Sequence, residues 1–224
     1  MIDARIQEKL VNILIKKTPS KPVKGIEYII PFSPQNFPLH LLNDYPDFSK
    51  FTLEIGSGWG EFTREYATLN PDEMIIALEK KKKRVVRSAR NQKNEEIKNI
   101  RWMVCDIEWY FESIFQKDSF NKVIINFPDP WPKTRHTKHR FFTKPFLNEL
   151  LRITKANAKI EFATDYWPYM ESVCDLLETS GDWKNSSGAK VILTNIQKRP
   201  VSFFEKVKRM EGENIYFVNF SRIS

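Results

Sequence analysis

The sequence predicts an α/β domain: a doubly wound, mostly parallel sheet that finishes in an antiparallel strand pair. Three observations predict it. From Thr52 onward, short apolar runs alternate with segments of helical periodicity, the pattern of strand–helix–strand crossovers with helices on both faces of a sheet. The first of these runs feeds a glycine turn, "EIGSGWG". The last two follow one another with no long helix between them, as strands of an antiparallel pair do.

Taken in order, "FTLEIG" is a buried strand and "GEFTREYATL" the helix after its turn. "EMIIALE" is the second strand, followed by a basic helix over residues 80–93. "IRWMVCD" and "FNKVIINF" are the third and fourth strands. A helix over "TKPFLNELLRI" precedes the fifth strand, "AKIEFATD", and a helix over "WPYMESVCDLLETS" follows it. "AKVILTNIQ" and "NIYFVNFS" close the sheet. Residues 1–50 are less regular, with prolines at 19, 22, 31, 34, 38 and 46 separating short segments. They are expected to form an N-terminal extension packed on a domain spanning 51–224. Within them Ile6, Leu10, Ile13 and Leu14 recur at helical spacing, an amphipathic surface helix.

A chain of 224 residues with 41% hydrophobic and 13% aromatic content is long enough for one full-sized core. No apolar run approaches the roughly 20 residues of a membrane helix. The start, "MIDARIQEKLVNILIKK", has acids and no small-residue cleavage pattern, so it does not read as a signal peptide. Cys105 and Cys174 stand far apart without CxxC spacing, which argues against a zinc ribbon or disulfide scaffold and for a reducing cytoplasm. The net charge of +8 points to an anionic partner. Lys and Arg concentrate at 80–84, 133–144 and 198–209, two of these clusters interleaved with aromatics, which favours nucleic acid.

Ligands of such sheets bind at the carboxyl ends of the strands. Those ends carry Glu54 with the glycine turn, Glu79, Asp106, Asp129 and Asp165. Five acids on one rim would repel one another unless cationic or hydroxyl-rich groups sit among them. The turn places Gly56, Gly58 and Gly60 as GxGxG, with Glu54 before it and Glu61 at the helix start. The dinucleotide fingerprint is GxGxxG, and acids here disfavour a pyrophosphate. S-adenosylmethionine has no phosphate and carries a sulfonium and an amino group. Glu54 would face its amino-acid end, Glu79 its ribose hydroxyls and Asp106 its adenine amino group. The Glu79 contact alone suits NAD equally well, but the combination favours the methyl donor.

The loop "NFPDPWPKTRHTKHRFF" packs three prolines, two histidines and several cations around a single acid, Asp129. With "EIGSGWGEF", "ALEKK", "VCDIEW", "TDYW" and "RPVSFFEKVKR" in order, the chain over about residues 50–220 resembles the bacterial tRNA (guanine-N7-)-methyltransferases, the TrmB family. The resemblance implies a class I S-adenosylmethionine-dependent (Rossmann-like) methyltransferase acting on N7 of guanine in tRNA, by analogy the variable-loop guanine of a tRNA (guanine(46)-N7)-methyltransferase. It implies donor binding by Glu54, Gly56, Gly58, Glu79, Asp106 and Asp129, with Asp129 also catalytic. It places Lys133, Asp165, Ser202, Phe203, Phe204 and Glu205 at tRNA-substrate positions. Ser202 stands where the family usually has threonine, and Val207 where an arginine usually follows, so that the contact there is either missing or supplied by Lys206 or Arg209.

The residues of the loop suit that chemistry. Guanine N7 presents an in-plane lone pair and no proton, so methyl transfer needs alignment more than a base. Asp129 suits acceptance from N1–H and the amino group, held by stiff prolines. Lys133, Arg135, Lys138 and Arg140 suit phosphates, and Trp131 offers a stacking face. Two rivals remain: an amino-group RNA methyltransferase, because "NFPD" resembles the Asn-Pro-Pro-aromatic motif, and a non-catalytic RNA-binding protein on the same fold. A metal at His136 and His139 is disfavoured by flanking cations. Trp102 and Trp109 read as core. The expected protein is a monomer or homodimer with no metal and no membrane association.

Overall fold

The computed structural model describes residues 12, 16, 21, 23–33, 35, 37–106, 114–133, 135 and 140–223. The expected helix at residues 6–14 and the side chains of Trp109, His136, Lys138 and His139 lie outside them. The chain divides into two compact units, residues 1–116 and 117–224.

The first unit holds β1 (Ile29–Ile30), α1 (Leu41–Asp44), β2 (Lys50–Ile55), α2 (Glu61–Leu69), β3 (Glu73–Glu79), α3 (Lys82–Asn94) and β4 (Ile100–Val104). Its strands lie in the order β1-β4-β3-β2, all parallel, with Leu53 opposite Ile76 and Ala77 opposite Trp102. β3 is buried along nearly its whole length, as a strand covered on both faces must be. Trp102 is fully buried, and its indole N–H donates to Gln92 Oε1 at 2.5 Å. Gln92 Nε2 in turn donates to the carbonyls of Ile97 and Ile100. One buried carboxamide thus ties α3 to β4 and leaves no polar atom of that contact unsatisfied.

The second unit holds β5 (Phe120–Asn126), α4 (Lys144–Ile153), β6 (Thr154–Thr164), α5 (Trp167–Ser180), β7 (Trp183–Asn185), β8 (Leu193–Thr194), α6 (Phe203–Met210) and β9 (Tyr216–Arg222). Their order is β5-β6-β9-β7, with β8 also on β9. β5 and β6 run parallel, and the pairs β6/β9, β7/β9 and β8/β9 are antiparallel. The change of direction falls at β9, as the closing antiparallel pair predicts. α4 starts at Thr143, whose Oγ1 accepts from Phe146 N, and α5 stops at Gly181, which sits at φ 77.

Five elements differ from the sequence reading. β1 was not anticipated, because two residues before a proline show no period. The stretch "AKVILTNIQ" contributes only the two residues of β8, and the three-residue β7 supplies the other partner of β9. An eight-residue helix, α6, stands between the last two runs. β6 begins at Thr154, ahead of the expected 158: Thr154 pairs with Phe120, and a register shift takes up the residues between it and Lys159, which pairs with Lys122.

Cys105 and Cys174 are free and buried. Burial, with the Asp106 charge beside it, pushes the Cys105 thiol far above its ordinary range. Burial, with Glu178, Asp175 and Glu171 nearby, pushes Cys174 up to about 12. A raised thiol pKa suppresses the reactive thiolate. Neither cysteine should therefore react with a disulfide reagent at pH 8 in the native protein, and both should react once denaturant unfolds it. Rapid labelling of either thiol in the folded protein, followed by absorbance, would contradict this burial.

Candidate active site

In the first unit the carboxyl ends of three strands converge on the glycine turn. Gly56 N and Ser57 N both donate to Leu78 O at 2.9 Å, which holds the turn against the end of β3. Gly56 and Gly58 have φ of 79 and 60, a region open to glycine at little cost. A Cβ added at either would meet nothing within 4 Å, whereas one at Gly60 would come within 2.5 Å of Trp102 Cη2 and 2.8 Å of Ser88 Oγ. Gly60 therefore serves packing, and the other two line open space.

Two acids of this rim have their own donors. Glu54 is 3% exposed and accepts from Thr63 Oγ1 at 2.5 Å. Glu79 is 4% exposed. Its Oε2 accepts from Gly58 N at 3.1 Å and its Oε1 from Lys81 N at 2.8 Å, with Arg84 Nη1 at 3.4 Å. An ionised carboxylate offers about four acceptor sites, so capacity remains for a ligand hydroxyl. Asp106 lies two residues past β4, where Cys105 N donates to Glu79 O. Trp59 in the turn is covered by Arg84 and Arg87, at 5.4 and 4.9 Å from its ring centre. Ser57 is 7% exposed and its Oγ has no hydrogen-bond partner among the described residues. Open glycine backbone, an unpartnered hydroxyl and partly used carboxylates fit a ligand rich in hydroxyl and amino groups. They do not fit a phosphate.

In the second unit the loop leaving β5 is strained. Phe127 and Trp131 have φ of 50 and 43, left-handed values that cost bulky residues about 1–3 kcal/mol each and cluster at functional sites. Phe127 N donates to Ala163 O at 2.8 Å, its ring lies 5.2 Å from that of Phe204, and Asp129 follows two residues on. Arg140 Nε donates to Pro130 O at 2.7 Å, and its guanidinium lies 4.7 Å from the Tyr169 ring centre. Arg140 thus clamps the loop, a different task from the phosphate contact expected of it. Lys133, Arg135 and Trp131 are exposed.

The segment from Ser202 to Glu205 begins α6. Ser202 Oγ accepts from Glu205 N at 3.1 Å as an N-cap. The spacing Ser-x-x-Glu suggests a capping box, but the carboxylate turns inward and is fully buried. Arg209 donates to Glu205 Oε1 from Nη2 at 2.7 Å and from Nε at 3.0 Å, and Arg199 Nη1 lies 3.4 Å from Oε2. Arg209 also donates to Ile196 O, so of the two residues expected to replace the arginine missing at Val207, only the exposed Lys206 points to solvent. Phe203 and Phe204 are exposed by 60% and 46%. Asp165 lies 3.7 Å from Lys208 Nζ, which also pairs with Glu211 at 3.0 Å. The Glu211 hydrogen bond and the Asp165 charge raise the pKa of Lys208.

Sequence reasoning missed Arg199 and Asn126. Arg199 Nη2 donates to Asn126 Oδ1 at 2.7 Å, and its guanidinium lies 4.7 Å from the Phe217 ring centre. Asn126 ends β5, three residues before Asp129. The only signal was "RP" ahead of the capping serine. Among the described residues, no group of three metal-binding side chains occurs, and no helix is long and apolar enough to cross a membrane.

Comparison with known proteins follows the same lines. A family model described as "Putative methyltransferase" matches residues 49–218. The tRNA (guanine-N(7)-)-methyltransferase of Leptospira interrogans is 37% identical over 199 residues, 85% of this chain and 90% of its own length. That of Chlamydia abortus is 28% identical over 195 residues, 80% of this chain and 77% of its own. Among solved structures, an antibiotic-related methyltransferase superposes with a TM-score of 0.60 at 18% identity, covering 86% of this chain and 94% of its own. A 16S rRNA (adenine(1408)-N(1))-methyltransferase of Catenulisporales acidiphilia, solved with its cosubstrate SAM, does so with a TM-score of 0.59 at 12% identity, covering 86% and 92%. Fold and site together define an α/β enzyme of the class I, Rossmann-like methyltransferase type. Within that class, the chain belongs to the tRNA (guanine-N7-)-methyltransferase family.

The buried Glu205 makes a sharp prediction. Removing one partner of a buried ion group leaves uncompensated charge and costs about 3–5 kcal/mol. Glu205→Gln should lower unfolding stability by that order in urea titration, while S-adenosylmethionine binding by the remaining folded protein stays within a few-fold. A variant as stable as the parent but unable to bind tRNA would show that Glu205 acts at the substrate surface.

Proposed function

We propose that the protein transfers the methyl group of S-adenosylmethionine to N7 of a guanine in tRNA, the variable-loop guanine at position 46, in the cytoplasm. The domain of residues 51–224 carries the reaction. Glu54, Gly56, Gly58, Glu79 and Asp106 hold the donor, with Ser57 Oγ as a further contact. Asp129 aligns the base. Lys133, Asp165 and the start of α6 at Ser202 form the tRNA side, with Phe203 and Phe204 as exposed aromatic surface, and the buried Glu205, expected among the tRNA contacts, holds that helix in place from within. Support for this donor comes from the phosphate-averse turn and from the SAM-bound relative in fold.

When bound, S-adenosylmethionine supplies an electrophilic methyl carbon on a sulfonium. The chain's residues do the rest by orientation. Asp129 accepts from guanine N1–H and its amino group, and its charge favours the positive charge that grows on the purine. The prolines around it and the Arg140 clamp on Pro130 O keep that carboxylate aimed. No proton has to leave N7.

One observation carries N7 over an exocyclic amino group. Amino-group chemistry of the Asn-Pro-Pro-aromatic type uses the first Asn as an acceptor for the amino hydrogens. Here Asn126 Oδ1 already accepts from Arg199 Nη2 at 2.7 Å, so one of its two lone pairs is taken and the oxygen is held toward that guanidinium. The non-catalytic reading has no comparable support, since the glycine turn and Glu79 are intact.

Labelled donor and unmodified tRNA should yield 7-methylguanosine, identified by mass after digestion. With no proton transferred, the single-turnover rate should be nearly flat between about pH 6.5 and 8.5. Asp129→Asn should lower it more than about tenfold throughout. A product methylated on an exocyclic nitrogen, or a rate that rises tenfold per pH unit, would overturn the assignment.

The exposed cations make a second test. Replacing Lys133 and Arg135 with alanine should weaken tRNA binding and reduce its logarithmic salt slope by up to about one per lost phosphate contact, leaving donor affinity unchanged. A salt slope equal to the parent's would remove both residues from the RNA interface.

A further inference from the structure

Asn126 carries a second, unused function. Its Nδ2 is shut off from solvent and has no hydrogen-bond partner among the described residues. The orientation of the carboxamide is not ambiguous. A guanidinium is donor-only, so the atom 2.7 Å from Arg199 Nη2 is the oxygen. Arg199 is itself held: it lies against the Phe217 ring and reaches the fully buried Glu205, which Arg209 also grips. The amide nitrogen is therefore presented as a fixed donor at the carboxyl end of β5, three residues before Asp129.

A buried donor without a partner costs about 1–3 kcal/mol, and a ligand acceptor recovers it. On the edge of guanine that bears N7, the neighbouring group is O6, an acceptor. Adenine presents an amino donor at the same place. We propose that Asn126 donates to guanine O6 and so selects guanine over adenine at the target position. This rests on the N7 reading above. It divides the base between two side chains: Asp129 accepts from N1–H and the amino group, and Asn126 donates to O6.

The two contacts differ in what they do during the reaction. As positive charge grows on the purine, O6 becomes a poorer acceptor and N1–H a better donor. The Asn126 contact is therefore strongest with the unreacted base, and its loss should raise KM more than it lowers kcat. A site that presents a buried donor also rejects a base that cannot accept, because the donor is left unpaired.

The test compares tRNA carrying guanine with tRNA carrying 6-thioguanine at the methylated position. The thio base keeps N1–H and the amino group but replaces O6 with a weakly accepting sulfur. The parent should prefer guanine by about tenfold or more in kcat/KM, and in Asn126→Ala that preference should shrink at least about fivefold, because the effect of sulfur's size cancels in the comparison. Asn126→Asp is nearly isosteric and can still accept from Arg199. It puts an oxygen where the donor was and should lower kcat/KM on guanine at least about a hundredfold, with the melting temperature checked for both variants. An Asn126→Ala enzyme that keeps the parent's preference, or a folded Asn126→Asp enzyme with the parent's rate, would overturn the inference. A parent enzyme that forms no 7-methylguanosine would overturn the N7 reading instead.

Discussion

A carboxylate cannot remain charged in a protein interior alone, and Glu205 is wholly out of water. Two arginines compensate it, and the consequences reach across the second unit. Arg209 brings the strand end near Ile196 onto α6. Arg199 carries the connection to the last residue of β5, where the proline-rich loop begins. A buried ion group of this kind contributes little net stability compared with apolar packing, but it fixes geometry, because each carboxylate oxygen is held by one arginine and each arginine is tied to a second group as well. The donor–acceptor sense of Asn126 follows from it. So does the starting direction of the loop that carries Asp129.

The acids on the strand ends pose the opposite problem. The rim would be repulsive if its carboxylates faced one another bare. Instead three of them are met locally: Glu54 by a threonine hydroxyl, Glu79 by two backbone N–H groups and Arg84, Asp165 by Lys208. Hydrogen bonds to the charged form stabilise it without bringing a full countercharge into the site. Glu79 and Asp165 also have a cation beside them, Arg84 at 3.4 Å and Lys208 at 3.7 Å, and Lys208 is shared with Glu211. The strand ends can thus still offer acceptors to a cationic, hydroxyl-bearing ligand.

Much of this was legible in the chain. β2, β3, β5 and α5 follow from apolar runs and helical period, because burial on both faces or on one stripe leaves a repeating trace. The acids at the strand ends and the glycine turn followed from knowing where such sheets bind ligands. What escaped were short elements and long-range partners. β1 and β7 are too short to show a period. Glu205 advertises a helix cap, and its inward turn depends on Arg199 and Arg209, whose side chains meet it only in the folded unit. Arg140 looked like one more cation in a basic stretch, yet the loop's prolines remove backbone donors and leave Pro130 O to be satisfied from elsewhere. His136, Lys138 and His139 lie outside the described residues.

The three glycines of the turn look alike in sequence and answer to different constraints. Around Gly56 and Gly58 there is empty space, so a side chain there would intrude on whatever the turn holds and on nothing else. Behind Gly60 stand the Trp102 ring and the Ser88 hydroxyl. Damage at Gly60 is a steric debt within the protein, and second-site changes that shrink Trp102 or Ser88 could relieve the clash, leaving only the backbone strain. Damage at Gly56 or Gly58 has no such suppressor, because the colliding partner is not encoded in the chain. Genetic suppression would therefore separate, within one five-residue motif, the glycine that belongs to the core from the two that belong to the ligand.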